Sequence, residues 1–416
     1  MYFLYNITVY IAIFFLKIVA FFNKKIHFFI NGRKDVFETL EENFNPNDNI
    51  IWFHCASLGE FEQGRPIIEK CKKEYKKYKI LVTFFSPSGF EIRKNYDAAD
   101  LVTYLPLDTR RNVRKFLELT KPKIAIFVKY EFWPNLLKQL KNNGVKTILI
   151  SGIFRKDQSF FKKYGGWMKR SLFSFDHFFV QNRSSETLLN NIGFTNVTIS
   201  GDTRFDRVFE ITEQNNKLEF IEKFVDNKVT LIAGSTWPKD EELLVSFINS
   251  ESESNQKFII APHNIDQNDI AKLKKSISKE VVLFSECNSE NLKNYQVLII
   301  DTIGLLSKIY NYADIAYVGG GFGSGIHNIL EPSTFAVPII IGPNYHKFKE
   351  AKDLVKLGAC KVINNNSELS TTLNELFANH DNRKRKGKLS RNYILDNIGS
   401  TNIIFDYLDK TISKNK

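Results

Sequence analysis

The sequence has few cysteines, and their spacing would neither pair them nor hold a metal. The four cysteines, Cys55, Cys71, Cys287 and Cys360, lie far apart, without a CxxC or a Cys/His spacing typical of zinc sites. Scattered thiols suit a reducing compartment and argue against a disulfide framework. We therefore expect each cysteine to be a small buried apolar residue.

The sequence also lacks the composition of disordered or fibrous proteins. Only 11 of the 416 residues are proline, 43% are hydrophobic, and no long low-complexity run is present. These values exclude a collagen-like or disordered chain and are typical of a globular protein. The length is sufficient for two ordinary domains, each with its own core.

Negative charge is in deficit. The 58 Lys and Arg residues exceed the 46 Asp and Glu residues, which gives a formal net charge of +12. Such an excess suits an anionic partner, whether nucleic acid, an acidic membrane surface or a phosphorylated substrate. It is equally compatible with a basic surface that only keeps the protein soluble, so charge alone does not choose a function.

One long apolar run lies close to the start of the sequence. Tyr2–Phe22 is interrupted only by Asn6, Thr8 and Lys17, and about 20 apolar residues are needed to span a bilayer. Four basic residues follow this run, namely Lys24, Lys25, Arg33 and Lys34. A cleaved signal peptide would carry its charge first, so we predict a membrane anchor with its basic flank in the cytoplasm. A helix lying in the interface and a buried first helix of the globular domain remain alternatives.

After this segment, short apolar runs alternate with helical patterns in two successive series. The first series of predicted strands comprises Ile50–His54, Leu81–Phe85, Leu101–Leu105, Ile124–Val128, Thr147–Ile150, Phe178–Val180 and Val197–Ser200. The second comprises Thr230–Ala233, Phe258–Ala261, Val281–Phe284, Val297–Ile300, Ile315–Val318, Pro338–Ile341 and Lys361–Ile363. This alternation predicts two α/β, Rossmann-like halves with parallel sheets, joined near residue 215. Ligands are then expected at the carboxyl ends of the strands, in a cleft between the halves.

The first candidate motif follows the first strand and reads His-Cys-Ala-Ser-Leu-Gly-Glu over residues 54–60. Gly59 permits a tight strand-to-helix turn before a helix predicted from about Gly64 to Tyr78. Glu60 would project from the strand end, where a carboxylate can take a proton from an attacking hydroxyl. Alternatively, Ser57 and Glu60 form a capping box for that helix.

A dense glycine cluster follows the strand Ile315–Val318 and precedes a short helix. Glycines allow the backbone to approach a phosphate closely, and helix N-terminal amides favour its negative charge. A glutamate one turn into the helix can accept hydrogen bonds from ribose hydroxyls. The pattern is neither a Walker loop nor a dinucleotide fingerprint. We predict a nucleotide site formed by Gly319, Gly320, Gly321, Gly323, His327, Asn328 and Glu331.

Further polar residues follow other predicted strands in both halves. They are Ser235 and Thr236, Pro262 and His263, Glu131 with Trp133 and Pro134, Arg155, and Arg204. Each of them alone is more often structural than functional; an ordinary helix cap would explain Ser235 and Thr236. Their repeated occurrence at strand carboxyl ends is what indicates a binding site.

Several of these segments resemble the motifs of the 3-deoxy-D-manno-octulosonic acid (Kdo) transferases. Residues 54–60 look like H-x-x-S-x-G-E, and residues 129–134 resemble E-T-E-x-W-P with Glu131, Trp133 and Pro134 retained. Residues 201–206 resemble G-N-x-K-F-D, residues 235–242 resemble S-T-H-x-G-E-E, and residues 319–332 resemble the block that ends in G-H-N-x-L-E-P. The motifs occur in family order and span residues 52 to about 360.

The resemblance implies a GT-B glycosyltransferase that inverts the sugar and needs neither a metal nor a cofactor. CMP-Kdo is then the donor substrate and the lipid A precursor lipid IVA the acceptor. The base maps to Glu60 and the second family glutamate to Glu131. Donor contacts map to the glycine-rich block, Ser235, Thr236, Pro262 and His263, and acceptor or phosphate contacts to Ser57, Arg155 and Arg204.

The resemblance also implies the domain plan and the location. Residues 1–34 would be the membrane anchor, 35–210 the acceptor domain and 211–416 the donor domain, at the cytoplasmic face of the inner membrane. Inner membrane lipids, and no nucleic acid, are the further partners expected. Rival interpretations are lipid A disaccharide synthase, a UDP-sugar epimerase, or a non-enzymatic membrane-bound binder of nucleotides or nucleic acid.

The sequence departs from the family motifs at several positions. The usual P-R-H is Pro262-His263-Asn264, so an arginine is missing there. The motif lysine is Arg204, and the histidine of S-T-H is Trp237. These differences concern how the donor's carboxylate and phosphate are held more than the reaction itself.

Overall fold

The computed structural model describes residues 1–287 and 291–413 as two α/β units. The strands are β1 (Asn49–Cys55), β2 (Tyr78–Phe84), β3 (Leu101–Tyr104), β4 (Ile124–Val128), β5 (Lys146–Gly152), β6 (His177–Val180), β7 (Val197–Ile199), β8 (Val229–Thr236), β9 (Gln256–Pro262), β10 (Val281–Leu283), β11 (Val297–Ile299), β12 (Ile315–Val318), β13 (Ile339–Ile341) and β14 (Cys360–Val362). All fourteen predicted strands are therefore present, with small differences at their ends.

Helices connect these strands. They are α1 (Tyr2–Val19), α2 (Lys24–Asn31), α3 (Val36–Asn43), α4 (Leu58–Glu74), α5 (Pro87–Arg93), α6 (Arg110–Thr120), α7 (Pro134–Asn142), α8 (Gly166–Leu172), α9 (Arg183–Asn190), α10 (Thr203–Thr212), α11 (Glu219–Val225), α12 (Pro238–Ser250), α13 (Gln267–Ser276), α14 (Leu306–Ile309), α15 (Leu330–Thr334), α16 (Lys349–Lys356), α17 (Asn366–Ala378), α18 (His380–Leu395) and α19 (Ser400–Ser413).

Each unit contains one parallel sheet. The strand order is β3-β2-β1-β4-β5-β6-β7 in the first unit and β10-β11-β9-β8-β12-β13-β14 in the second. Strands β1 and β2 pair in register from Asn49 with Tyr78 to Cys55 with Phe84. The apolar residues of β1 alternate between two cores, with Trp52 on one face of the sheet and Ile51 and Phe53 on the other. Burial on both faces explains why the strands read as continuous apolar runs.

The division of the chain differs from the predicted plan at its C-terminal end. Among the described residues, the first unit comprises 1–206 and 398–413, and the second comprises 207–287 and 291–397. Helix α19, predicted to belong to the donor domain at 211–416, packs in the first unit, where Ile404, Leu408 and Ile412 join the core beside Ile67 and Ile68. The last three residues of that predicted domain lie outside the described range. Periodicity indicates that a helix is amphipathic but not which sheet receives its apolar face.

The start of α19 is held by a side chain from the predicted G-N-x-K-F-D-like segment. Asp206 accepts hydrogen bonds from the backbone N–H groups of Gly399, at 2.5 Å, and Thr401, at 2.7 Å, and from the Thr401 hydroxyl at 2.8 Å. A carboxylate at a helix N-terminus satisfies amides that have no partner within the helix. Asp206 therefore fixes the returning end of the chain to the first unit.

Helix α4 begins earlier than predicted. It runs from Leu58 to Glu74 rather than from about Gly64 to Tyr78, and Ser57 is its N-cap residue. Tyr78 instead opens strand β2. The early start places Glu60 in the first turn of the helix, next to the end of β1.

Helix α1 lies on the first unit through a polar edge. The Tyr5 hydroxyl donates to Asp108 at 2.6 Å, the Tyr2 hydroxyl donates to the Pro134 carbonyl at 3.0 Å, and Asn6 accepts from the Asn135 side chain at 3.0 Å. Every residue of α1 is exposed or half-buried, so the alternative of a buried core helix does not hold. Within the described residues, α1 is the one helix long and apolar enough to cross a membrane.

Arg33, one of the four predicted basic flanking residues, points into the protein. Its guanidinium donates to the backbone carbonyls of Phe29, Phe85 and Leu105 at 2.6–2.9 Å and lies 4.8 Å from the ring centre of Tyr104. Burial lowers the pKa of Arg33. Arg33 thus ties the end of α2 to the loops after β2 and β3 instead of facing a membrane, whereas Lys24, Lys25 and Lys34 are exposed.

The Asp206 contacts generate a test of how the chain end is held. Asp206→Ala removes the acceptor of three hydrogen bonds and should lower the free energy of unfolding by about 1–2 kcal/mol, as measured by urea denaturation. Limited proteolysis should also release α19 sooner. Asp406→Ala, at an exposed position on α19 itself, is the matched control. Equal stabilities of the two variants would contradict the capping role.

Candidate active site

The predicted site residues gather at the points where strand order reverses. In the first sheet β1 lies beside β4, and in the second β8 lies beside β12. The loops leaving neighbouring strands at such a point run in opposite directions and leave room for a ligand. We call the group His54, Ser57, Glu60, Glu131 and Trp133 the first-unit site. The glycine-rich loop of residues 319–328 with Trp237, Asp240 and His263 is the second-unit site.

Glu60 is buried and bonded to one neighbouring side chain. The carboxylate is 9% exposed and accepts a hydrogen bond from the Ser57 hydroxyl. Ser57 makes no side-chain bond to the helix backbone, so it is not the capping-box partner of the alternative interpretation. Ser57 therefore orients the Glu60 carboxylate at the end of β1.

Glu131 is held by two ring nitrogens. Its Oε2 accepts from Trp133 Nε1 at 2.9 Å and lies 3.3 Å from His54 Nε2. On the other side of the imidazole, His54 Nδ1 lies 2.9 Å from the Thr83 hydroxyl, which also accepts from Trp52 Nε1 at 2.8 Å. A chain of hydrogen bonds thus runs from the core of the sheet to the Glu131 carboxylate.

Both ring nitrogens of His54 have further partners besides Glu131 and the Thr83 hydroxyl. Nε2 also lies 3.3 Å from Trp133 Nε1, which can only donate, and Nδ1 lies 3.2 Å from the Thr83 carbonyl, which can only accept. The indole of Trp133 packs on Phe85, with ring centres 4.6 Å apart. With its partners fixed in this way, Glu131 has a defined orientation.

The two carboxylates both act on the last residue of β1. Burial raises the pKa of the Cys55 thiol strongly, and the charges of Glu60 and Glu131 both raise it further. Both carboxylates are therefore near the last residue of β1. The sequence places them 71 positions apart, and the pairing of β1 with β4 brings the segments that carry them to the same edge of the sheet.

Two cations flank the loop that carries Glu131. The Arg155 guanidinium lies 5.6 Å and the Lys129 ammonium 5.2 Å from the ring centre of Tyr130. Lys129 has a φ of +76°, a left-handed conformation that costs energy in a residue with a side chain. This backbone turns the loop sharply at the end of β4. The exposed Arg155 fits the predicted role of an anion contact.

Arg204 has a different environment. Its guanidinium forms a salt bridge with Asp202, with Nη2 and Oδ2 2.8 Å apart, and Nε bonds to the same carboxylate. Asp202 itself is buried. The predicted phosphate contact is therefore already paired at the start of α10.

The glycine-rich loop of the second unit folds tightly against its neighbours. Gly320 has a φ of +91°, and a Cβ there would lie 2.5 Å from the Gly325 carbonyl oxygen. A Cβ on Gly321 would lie 2.6 Å from the backbone of Gly342. These glycines are required by the packing of the loop itself, before any ligand is considered.

Asp240 joins the two loops that meet at the second switch point. The fully buried carboxylate accepts from the Tyr317 hydroxyl at 2.8 Å, from the Trp237 backbone N–H at 2.9 Å and from the Gly320 backbone N–H at 2.8 Å. Burial and the adjacent carboxylate raise the pKa of Tyr317. The first turn of α12 is thereby attached to the start of the glycine-rich loop.

A cavity of about 420 Å³ lies beside this junction. Its walls include Trp237, Lys239, Gly320, Phe322 and Ser324. The rings of His263 and His327 stack at 4.4 Å next to it. The second unit thus offers aromatic faces, loop amides and one ammonium group within a single concave surface, as a nucleotide requires.

The other predicted donor residues occupy the same strand ends. Ser235 has a left-handed φ of +53°, and its carbonyl leaves room only for glycine at position 319. The Thr236 hydroxyl donates to Glu241 at 2.9 Å, which makes it part of the helix start. The Asn328 side chain donates to Glu331 at 2.9 Å, and Pro262 ends β9. Across residues 1–287 and 291–413, no group of three or more His, Cys, Asp or Glu has metal-site geometry.

Comparison with known proteins identifies the family. A family described as 3-deoxy-D-manno-octulosonic-acid transferase (kdotransferase) matches residues 32–207. The 3-deoxy-D-manno-octulosonic acid transferase of Aquifex aeolicus is 30% identical over 359 residues, which cover 82% of this chain and 91% of the relative. The chain belongs to the Kdo transferase family. The enzyme of the same description from Chlamydophila psittaci is 27% identical, over 74% of this chain and 73% of its own.

Solved structures support the fold. UDP-GlcNAc 2-epimerase from Neisseria meningitidis superposes with a TM-score of 0.59 and 13% identity, covering 87% of this chain and all of its own. At this identity the likeness concerns the fold alone. The chain has the GT-B fold, with two Rossmann-like units, as its motifs implied.

Three residues of the site were not singled out from the sequence. Thr83 belongs to none of the motifs. Its bond to His54 becomes visible only through the pairing of β1 with β2. Asp240 lies within the segment 235–242, and its bonds to Tyr317 and Gly320 become visible only when β8 and β12 pair. Lys239 becomes a candidate only because it lines the cavity.

The hydrogen-bond chain behind Glu131 can be tested by Thr83→Val. The substitution keeps the volume but leaves the Trp52 indole N–H buried without its acceptor, which costs about 1–3 kcal/mol. It also removes the nearer partner of His54 Nδ1, which keeps only the backbone carbonyl of residue 83 at 3.2 Å. Stability in urea should fall accordingly, and transfer activity should fall with it. Thr120→Val removes an equally buried hydroxyl that bonds only to Phe116 in its own helix, and it should cost much less. Similar losses in both variants would contradict the network.

Proposed function

We propose that the protein transfers Kdo from CMP-Kdo to the lipid A precursor lipid IVA, with inversion and without a metal. The observation that carries the proposal is the presence of the buried Glu60 and the half-buried Glu131 at the first switch point. Glu60 has a single hydroxyl partner, Ser57, whereas Glu131 is held by two ring nitrogens. This difference favours Glu60 as the group that accepts a proton and Glu131 as the group that orients the acceptor.

In the proposed reaction, Glu60 removes the proton of an acceptor sugar hydroxyl. The hydroxyl oxygen forms a bond to the anomeric carbon of Kdo while the bond from that carbon to the phosphate oxygen breaks. CMP leaves with the electron pair, and the proton remains on Glu60 until it passes to solvent. A positioned base of this kind contributes about 10²–10⁴-fold to the rate.

The second unit suits the donor. CMP-Kdo carries a phosphate and a sugar carboxylate, and Lys239 and the loop amides could neutralise them as charge develops on the phosphate. Lys239 takes the place of the missing family arginine in this proposal, since it lines the cavity beside the glycine-rich loop. The ribose hydroxyls would bond to Glu331.

The first unit suits an anionic acceptor. Lipid IVA carries two phosphates, and Arg155 and Lys129 lie beside the loop that holds Glu131. Arg204, which is paired with Asp202, would contribute to loop structure rather than to phosphate binding.

Membrane attachment would come from α1. Exposed apolar side chains cover its outer surface, among them Phe3, Ile7, Tyr10, Phe14 and Ile18. Lys24, Lys25 and Lys34 would add about 1 kcal/mol each at an anionic surface. The proposed location is therefore the cytoplasmic face of the inner membrane, where the proposed acceptor would be met.

A direct assay separates this proposal from its rivals. Purified protein is incubated with CMP-Kdo and lipid IVA, and the products are analysed by mass spectrometry. Kdo-modified lipid together with released CMP is the expected result. Retention of intact CMP-Kdo, or the same conversion only with a UDP-sugar, would contradict it.

The base assignment is tested by Glu60→Gln. The amide keeps the size and the bond to Ser57 but cannot take a proton, so turnover should fall by about 10²–10⁴-fold. CMP affinity, measured by calorimetry, should stay unchanged because the nucleotide binds to the second unit. Glu62→Gln is the control two residues along, where the carboxylate pairs with Arg65 and Arg93. Wild-type turnover in Glu60→Gln would leave Glu60 as a structural residue.

The anchor is tested by two truncations that differ in Arg33. A chain beginning at Asn23 lacks α1 but keeps Arg33, and it should fold, leave vesicles of anionic lipid and still modify detergent-dispersed lipid IVA. A chain beginning at Asp35 also loses the Arg33 hydrogen bonds and should melt at a lower temperature than the first. Vesicle sedimentation and thermal melting measure the two effects. If the chain from Asn23 stays with vesicles or fails to fold, α1 is not the anchor.

A further inference from the structure

Three aromatic rings form a compact cluster in the second-unit site. His263 stacks on Trp237 with ring centres 4.8 Å apart and on His327 with centres 4.4 Å apart. The ring planes of Trp237 and His327 are nearly parallel, at 9°, with centres 6.3 Å apart, and Trp237 Nε1 faces His327 Nε2. The indole and the imidazole therefore lie edge to edge, and His263 covers both of them.

The edge contact is a hydrogen bond with only one possible direction. Trp237 Nε1 lies 2.8 Å from His327 Nε2, and an indole N–H can donate but never accept. His327 Nε2 must therefore be without a proton. The imidazole is uncharged, and its proton is on Nδ1.

The ring of His327 is also fixed by the glycine-rich loop. A Cβ at Gly320 would lie 3.0 Å from His327 Cδ2, so the imidazole rests on the backbone of that residue. The His327 backbone N–H donates to the Gly319 carbonyl at 3.1 Å. Rotation that would exchange the two ring nitrogens is thus opposed both by the loop and by Trp237.

The surrounding charges favour the same state. Burial lowers the pKa of His327, and His263 at the end of β9 lowers it further, while Asp240 in α12 acts in the opposite direction. Asp240 is already bonded to three donors, and Lys239 lines the adjoining cavity with a positive charge. The balance of these groups keeps His327 neutral near pH 7.

We propose that Trp237 is a positioning residue of the donor site, whose indole N–H holds His327 neutral with the proton on Nδ1. His327 then offers an N–H donor, and no positive charge, to a phosphate or ribose oxygen of a cytidine nucleotide. The identity of the ligand in this inference rests on the proposed function. The assigned tautomer does not depend on that function.

The tautomer is measured on the ligand-free, full-length protein in detergent, with ¹⁵N-labelled histidine. Long-range ¹H–¹⁵N spectra, assigned with His327→Gln, should show Nδ1–H at His327 and a titration midpoint below the ~6.5 of a free imidazole. In Trp237→Phe the ring stack is kept but the donor is lost. The midpoint should rise and the Nε2–H form should appear, because a donor to the bare nitrogen favours the neutral form. Trp167→Phe, in the first unit, should change neither the titration midpoint nor the tautomer of His327.

An Nε2–H proton on His327 in the wild-type protein would overturn the assignment, even if Trp237→Phe did not fold. An unchanged spectrum in a folded Trp237→Phe protein would overturn the role of Trp237.

The consequence for the ligand is measured by CMP calorimetry. At pH 7.5, Trp237→Phe should bind CMP about two- to tenfold more weakly, the value of one neutral hydrogen bond. At pH 5.5 the difference should shrink, because a protonated His327 carries both N–H groups. The tautomer could change while the wild-type protein and Trp237→Phe bind CMP equally well at both pH values. That result would overturn the contact between His327 and the nucleotide. If CMP bound neither protein, the proposed donor would be wrong, while the spectra would still decide the tautomer.

Discussion

Parallel pairing is the constraint on which both sites depend. Every strand in a parallel sheet runs in the same direction, so all the loops that follow the strands emerge at one edge. At the two points where strand order reverses, β1 beside β4 and β8 beside β12, these loops diverge and leave a concavity. The two carboxylates of the first unit and the ring cluster of the second unit occupy these points. Their arrangement follows from the sheets rather than from contacts among the side chains themselves.

Buried polar groups make these loops specific. In the first unit, Thr83 connects Trp52 to His54, and through it to Glu131. In the second, Asp240 connects α12 to Tyr317 and the glycine-rich loop. Removing one partner from such a network leaves the others buried and unpaired, which costs more than an exposed hydrogen bond would. Each site is therefore tied to the core of its own sheet.

The fold could be predicted from the sequence to a large extent because its signal is local. Strands buried on both faces read as apolar runs, and all fourteen were predicted from such runs alone. The destination of α19 could not be predicted, since the Asp206 bonds to Gly399 and Thr401 join residues almost 200 positions apart. The direction of the Arg33 side chain could likewise not be predicted from the sequence. A basic residue after an apolar segment reads as a membrane flank, and only the carbonyls of three separate segments around it show otherwise.

The candidate site was predictable where chemistry and position coincide at a strand end, as for Glu60, Glu131 and the glycine-rich loop. Residues that act through another side chain, as Trp237 acts through His327, could not be predicted as part of the site. In the sequence, Trp237 is a departure from the family pattern, because the motif has a histidine there. In the structure its indole N–H defines which nitrogen of His327 is free, so the departure changes the way in which that ring can bind. A substitution within a motif is therefore best judged by the hydrogen bonds that the new side chain makes, since a donor-only ring imposes a protonation state that a histidine would leave open.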